Sequence, residues 1–144
     1  MNRNEIKLLL TAAREAVKNA YAPYSGFKVS AAVLTGRGSV FTGVNIENAS
    51  LGLTVCAERV AIFQAVSAGE RRIRAVLVFT PTVEFTPPCG ACCQVIREFG
   101  RNPLIILATE GRLKKLRLKQ LLPQGFKLKI KRCVPVRPGK VLIP

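Results

Sequence analysis

The chain has 144 residues, 49% apolar and 22% charged, a balance that predicts a folded core and excludes a disordered or low-complexity protein. Its 23 Lys and Arg against 8 acidic residues give a formal charge of +15, which admits nucleic acid or another polyanion as a partner, the alternative being a solvated basic surface. No run is long and apolar enough to cross a bilayer and the N-terminus lacks the apolar stretch of a signal peptide, so a cytoplasmic protein without a membrane partner is expected.

Residues from about Asn4 to Ala20 predict an amphipathic helix. Ile6, Leu9, Leu10, Ala13, Val17 and Ala20 recur at helical spacing, with Arg14, Glu15 and Lys18 facing away. Pro23, Ser25 and Gly26 then break the pattern. Phe27 to Leu34 and Val40 to Val44 are β-prone runs on either side of the turn-like "TGRGS", which predicts a hairpin. From Cys56 the pattern is helical, with Val60, Ile62, Phe63 and Val66 apolar enough for a mostly buried helix and Gly69 as its cap. Ile73 to Phe79 reads as a strand buried on both faces, Pro81 to Pro88 as a loop, and Cys89 to Phe99 as a helix stopped by Gly100. Leu104 to Ala108 is a further buried strand, and Leu113 to Leu122 predicts a short basic helix ending before Pro123. "FKLKIKR" then fits an edge strand with Lys on its wet side, while Pro135 and Pro138 argue against a regular element after it. With no repeat and no linker, one domain spanning 1–144 is expected, and the alternation of strands and helices implies an α/β sandwich with a mixed sheet.

Two short stretches carry the chemistry: Cys56-Ala57-Glu58-Arg59 and Pro88-Cys89-Gly90-Ala91-Cys92. Five cysteines without a secretion signal suggest reduced thiols and metal, not disulfides. The chain has no histidine, so a tight zinc site must be built from thiolates. Cys56, Cys89 and Cys92 supply three, which leaves a fourth tetrahedral position for water, whereas a structural site would close with a fourth ligand. A Glu two residues after the first ligand, followed later by P-C-x-x-C, is the signature of zinc deaminases, with Cys in place of the first-ligand His. Glu58 alone is also an ordinary helix N-terminal carboxylate, favoured there by the dipole. Three thiolates on Zn²⁺ leave a net −1, which free N–H groups at the helix N-termini and Arg59 can offset, although Arg59 alone reads equally as a solvent-facing side chain. Cys93 points about 100° away from Cys92 around its helix, so the two do not share a metal, and Cys93 and Cys133 read as packing residues.

Beyond these motifs, "YAPYSGFKVSAAVLT", "GVNIENAS", "CAERVAIFQAVSAGE", "PPCGACCQVIREFG" and "LLPQGF" stand in series over roughly Tyr21 to Phe126. In this the chain resembles the small homotetrameric cytidine deaminases. The resemblance implies a three-layer α/β/α fold with a mixed central sheet and one zinc per chain on Cys56, Cys89 and Cys92. It also implies Glu58 as the proton shuttle and Arg59 as a contact of the ligand thiolates. Phe27 would pack on the pyrimidine, and Asn45 and Glu47 would bond the ribose hydroxyls. Taken alone, Phe27 is a packing residue and Asn45 a turn residue. Asn45 and Glu47, with one residue between them on an extended chain, point to one side, which suits a sugar's neighbouring hydroxyls.

Phe126 matches an aromatic that reaches a neighbouring subunit's site in the tetramer. The implied reaction is deamination of cytidine and deoxycytidine to uridine and deoxyuridine in pyrimidine salvage. This sequence departs from the family in three ways. Cys93 stands where an Arg is usual, Leu51 replaces a second cross-subunit aromatic, and the tail is basic where an acidic one is usual. Alternatives are a deaminase of another cytosine compound, such as blasticidin S, and a nucleic-acid-associated protein of the same fold. The charge of +15 favours the latter, and the lack of an RNA-binding motif opposes it.

Overall fold

The computed structural model describes residues 1–128 of the chain. Helix α1 (Arg3–Ala16) starts where Asn2 accepts a hydrogen bond from the Glu5 N–H at 2.8 Å and its own N–H donates to the Glu5 carboxylate at 2.8 Å. This reciprocal cap satisfies two N–H groups and places a carboxylate at the positive end of the helix. The predicted helix stops earlier than expected, its last turn tightening to a 3₁₀ turn over Val17–Asn19.

Strands β1 (Ser30–Thr35) and β2 (Val40–Val44) form the expected hairpin. After it come α2 (Ala57–Ser67), β3 (Ile73–Phe79), α3 (Gly90–Phe99), β4 (Leu104–Ala108), β5 (Leu113–Arg117) and α4 (Leu118–Leu121). The sheet order is β2-β1-β3-β4-β5, with β3 and β4 parallel and every other pair antiparallel. Side chains alternate across it. Ala31, Val33, Val76, Val78, Ile105 and Leu107 join a core with Ala61 and Ile62 of α2 and Ile96 of α3. Ala32, Leu34, Leu77, Phe79, Ile106 and Ala108 meet Ile6, Leu9 and Ala13 of α1 on the other face. The result is the expected α/β/α sandwich around a mixed sheet, and each fully buried Leu, Ile or Phe contributes about 1.5–3 kcal/mol.

One glycine sets how closely α2 lies on the hairpin. A Cβ at Gly43 would sit 2.4 Å from the Ala61 nitrogen and 2.5 Å from the Ala57 oxygen, both backbone atoms. Gly43→Ala is therefore expected to push α2 off β2 and cost about 3 kcal/mol, the upper end of ordinary overpacking. The drop appears in the urea midpoint, and an unchanged midpoint would refute the close approach. Gly69 follows α2 with φ +87°, as its expected role as a cap requires.

Three expectations are corrected. Leu113–Leu122 is not one basic helix: its first half is β5, paired antiparallel to β4 with Ile105 opposite Leu116, and only Leu118–Leu121 is helical. The open edge of β4 demands backbone partners, and that demand outweighs the helical spacing of Leu113 and Leu116. Lys114, Lys115 and Arg117 line this edge strand, as edge protection favours. Of the expected "FKLKIKR" strand, Phe126–Leu128 form no strand, and residues 129–132 lie outside the described residues, as do Cys133, Pro135 and Pro138. The first strand also begins at Ser30, not Phe27, because the Asn45 side chain takes the Phe27 carbonyl (2.8 Å) and the Val29 N–H (2.8 Å) that a sheet would use.

Candidate metal centre and active site

Cys56 and Cys89 occupy the N-cap positions of α2 and α3, and Cys92 lies in the first turn of α3. Neither N-cap side chain bonds its own helix, which leaves N–H groups at both helix N-termini for the sulfurs, apart from that of Arg59, which donates to the Cys56 carbonyl at 3.1 Å. Each carries the positive end of a helix dipole, which favours thiolate. The three Sγ atoms lie within 4.8 Å of one another, and the Cys56–Cys89 pair is 4.0 Å apart. Thiolates 2.3 Å from a tetrahedral zinc stand about 3.8 Å apart, so the arrangement fits the ion. Among the described residues no other group of His, Cys, Asp or Glu gathers this way.

A hydrogen bond from Cys92, with help from Arg59, holds the Cys56 thiol down at about 5 against the opposing effect of burial. The same hydrogen bond, together with burial, pushes the Cys92 thiol up. In this pair one sulfur gives up its proton readily and the other holds on to its own until a cation balances the charge. Arg59 supplies part of that balance: Nη2 donates to the Cys56 sulfur at 3.8 Å and to the Thr54 carbonyl at 3.0 Å. Its Nε is buried without a hydrogen-bond partner among the described residues.

Glu58 is buried, and burial raises its carboxyl above the usual carboxylate range. It follows Cys56 by two residues, on the first turn of α2. A carboxyl that burial makes easier to protonate, set beside three sulfurs, suits a group that must both accept and return a proton. Cys93 stands outside the sulfur group. It is buried, its thiol is 3.5 Å from the Pro88 carbonyl, and burial pushes its pKa up.

The other expected site residues fall into two places. Ile46 bridges Tyr21 on one side and Val55 on the other, which lays the 45–47 segment beside the chain leading into Cys56. Asn45 is buried and Glu47 half-buried, and within the chain both stitch the 21–29 loop. Glu47 accepts from the Tyr24 and Ser25 N–H groups (2.9 and 3.2 Å) and from the Ser25 hydroxyl. The Ser25 hydroxyl, chiefly, and the two N–H groups hold its carboxyl below the usual range although burial opposes them. Phe27, 40% exposed, rides on this loop. Phe126 is elsewhere: Gln94, two residues after Cys92, bonds both its N–H and its carbonyl at 3.0 Å and leaves the ring 69% exposed. Leu51 is likewise exposed.

Sequence reasoning missed Ser25, Thr54 and Gln94 as supporting residues. Only the adjacency of Ser25 to Phe27 and of Gln94 to Cys92 was there to be read. α2 is also less covered than its composition predicts. Phe63 is 48% exposed and joins Phe41, Ile46, Leu53 and Val60 along an open apolar groove.

A family model described as the cytidine and deoxycytidylate deaminase zinc-binding region matches residues 3–108. The cytidine deaminase of Halalkalibacterium halodurans is 43% identical over 122 residues, which is 83% of this chain and 92% of that protein. That of Sporosarcina psychrophila is 40% identical over 124 residues, 85% of this chain and 91% of that protein. Among solved structures, a cytidine deaminase from Burkholderia pseudomallei aligns with a TM-score of 0.80 at 43% identity, covering 88% of this chain and 100% of that one.

Proposed function

The chain belongs to the cytidine and deoxycytidylate deaminase family, and from that membership we propose that it hydrolyses cytidine and deoxycytidine to uridine and deoxyuridine with release of ammonia. The observation that carries the reading is the trio of sulfurs within 4.8 Å of one another, with the buried Glu58 on the same helical turn as the first of them. Zinc, when bound by Cys56, Cys89 and Cys92, supplies Lewis acidity that makes water a nucleophile near neutral pH. Glu58 takes one proton of the water that attacks C4 and delivers it to the ring nitrogen N3. It then takes the second from the new C4 hydroxyl and passes it to the exocyclic amine, which leaves as ammonia as the C4–N bond breaks and the C4 carbonyl forms. Its raised pKa suits both halves of this shuttle. Arg59 and the two helix N-termini draw negative charge from the sulfurs.

The substrate groups belong to this same reading. Phe27 stacks on the pyrimidine, and Asn45 and Glu47 bond the ribose hydroxyls while anchoring the loop that carries Phe27. The 144 residues work as one domain in the cytoplasm, in pyrimidine salvage, with one zinc per chain. No helix among the described residues is long and apolar enough to cross a membrane. The assembly is a homotetramer. In support, the groove along Phe63, Ile46 and Leu53 leaves apolar area to cover, and the Phe126 ring is held outward by Gln94. Repulsion from +15 per chain is largely screened beyond about 8–10 Å at physiological salt.

Ammonia release from free cytidine, measured with zinc per chain and again at high salt, tests the activity. No ammonia from a zinc-loaded protein would refute it. Activity on polynucleotide alone that falls steeply with salt would favour the nucleic-acid alternative. Phe126→Ala is expected to raise KM for cytidine while light scattering still reports a tetramer. An unaffected KM would refute the shared site, and a fully active monomer would refute the assembly.

A further inference from the structure

Away from the sulfurs, a cavity of about 960 Å³ opens where the start of β3, the end of α3 and the β5–α4 corner meet. Six cations from separate parts of the chain line it: Arg72, Arg97, Arg101, Arg117, Lys119 and Lys127. Glu98 is the one carboxylate in the lining, and Arg74, also there, is already paired with Glu5 at 3.1 Å. None of the six takes part in an ion pair among the described residues. The sequence after Glu110 contains no Asp or Glu that could neutralise them.

Arg97 is held in place by the chain above it. Its stem is clamped under the 122–126 turn, so closely that a Cβ at Gly125 would lie 2.6 Å from its Cδ and 3.0 Å from its Nε. That Nε is buried and has no hydrogen-bond partner among the described residues. Arg117 makes one long bond, to the Asn102 carbonyl at 3.4 Å, and keeps its charge.

We propose that this cavity binds a compact polyphosphate anion, either inorganic triphosphate or the phosphate chain of a nucleotide. Guanidinium forks and ammonium groups converging on a concavity match the many oxygens and closely spaced charges of such an ion. The volume falls within the range of small-ligand sites, about 300–1,000 Å³. Cations on several walls of a concavity focus their field on one point, which favours a compact anion over an extended backbone. The cavity shares no residue with the sulfur cluster or with Glu58, although Phe126, which the proposed shared site uses, lies in its lining. Triphosphate binding and ammonia release from cytidine are measured independently, so failure of one is told apart from failure of the other.

Calorimetric titration of the zinc-loaded full chain with inorganic triphosphate, at low and at physiological salt, tests the proposal. One ion per chain is expected. The double variant Arg72→Gln, Lys119→Gln, which changes two exposed side chains, should weaken binding at least about tenfold with no change in melting temperature. Lys114→Gln with Lys115→Gln removes the same charge from β5 outside the cavity, and should change affinity less than about twofold at physiological salt. Equal weakening by the two pairs, or no saturable binding at physiological salt, would overturn the site. So would a single-stranded oligonucleotide that binds more tightly than triphosphate and depends as much on Lys114 and Lys115. A nucleoside triphosphate that binds no tighter than inorganic triphosphate would support a site for the phosphate chain alone, and tighter binding would support a nucleotide site.

Discussion

Glu58→Gln is expected to keep the fold and one zinc per chain while turnover on cytidine falls about 10²–10⁴-fold, the usual worth of a positioned proton carrier. The amide nearly matches the carboxyl in size, so the tight surroundings of the first turn of α2 are preserved. It cannot accept a proton from water, and it cannot return one to the leaving amine. Burial is the main cause that raises the Glu58 pKa, and a neutral amide escapes that penalty, so the melting temperature should not fall. Kinetics and metal content are measured on the same preparation. Turnover above about a tenth of wild type would place the proton shuttle on another group.

Zinc content should separate two neighbouring cysteines. Cys92→Ser is expected to lose the metal and with it nearly all activity, whereas Cys93→Ser should stay near one zinc per chain. The Cys92 sulfur lies with those of Cys56 and Cys89, and Cys93 instead turns toward the Pro88 carbonyl at 3.5 Å. The free energy of a three-thiolate site depends on all three donors, and hydroxyl is a poor replacement for thiolate. Cys93→Ser exchanges one small buried side chain for another beside an acceptor carbonyl, so only a modest loss of stability is expected. Equal zinc loss in the two variants would sink the ligand assignment.

The sequence alone determined the parts of this protein that depend on short spacings. C-x-E and P-C-x-x-C place Cys56, Glu58, Cys89 and Cys92 on the first turns of two helices, and neighbours on one turn are fixed by helical geometry whatever surrounds them. The hairpin and the buried strands β3 and β4 were equally legible, because apolar runs of strand length bounded by turn residues have few other uses. Tertiary structure decided the rest. Leu113–Arg117 became a strand because β4 offered an unpaired edge, and the chain's own periodicity carries no record of a partner's edge. The bonds from Asn45 to Phe27, from Glu47 to Ser25 and from Gln94 to Phe126 span 18 to 32 residues, so their partners exist only once the sheet has formed. The basic cavity is of the same kind. Its cations come from positions 72 to 127, where the sequence shows only scattered charge, and it is the packing of β3, α3 and β5 that brings them around one cavity.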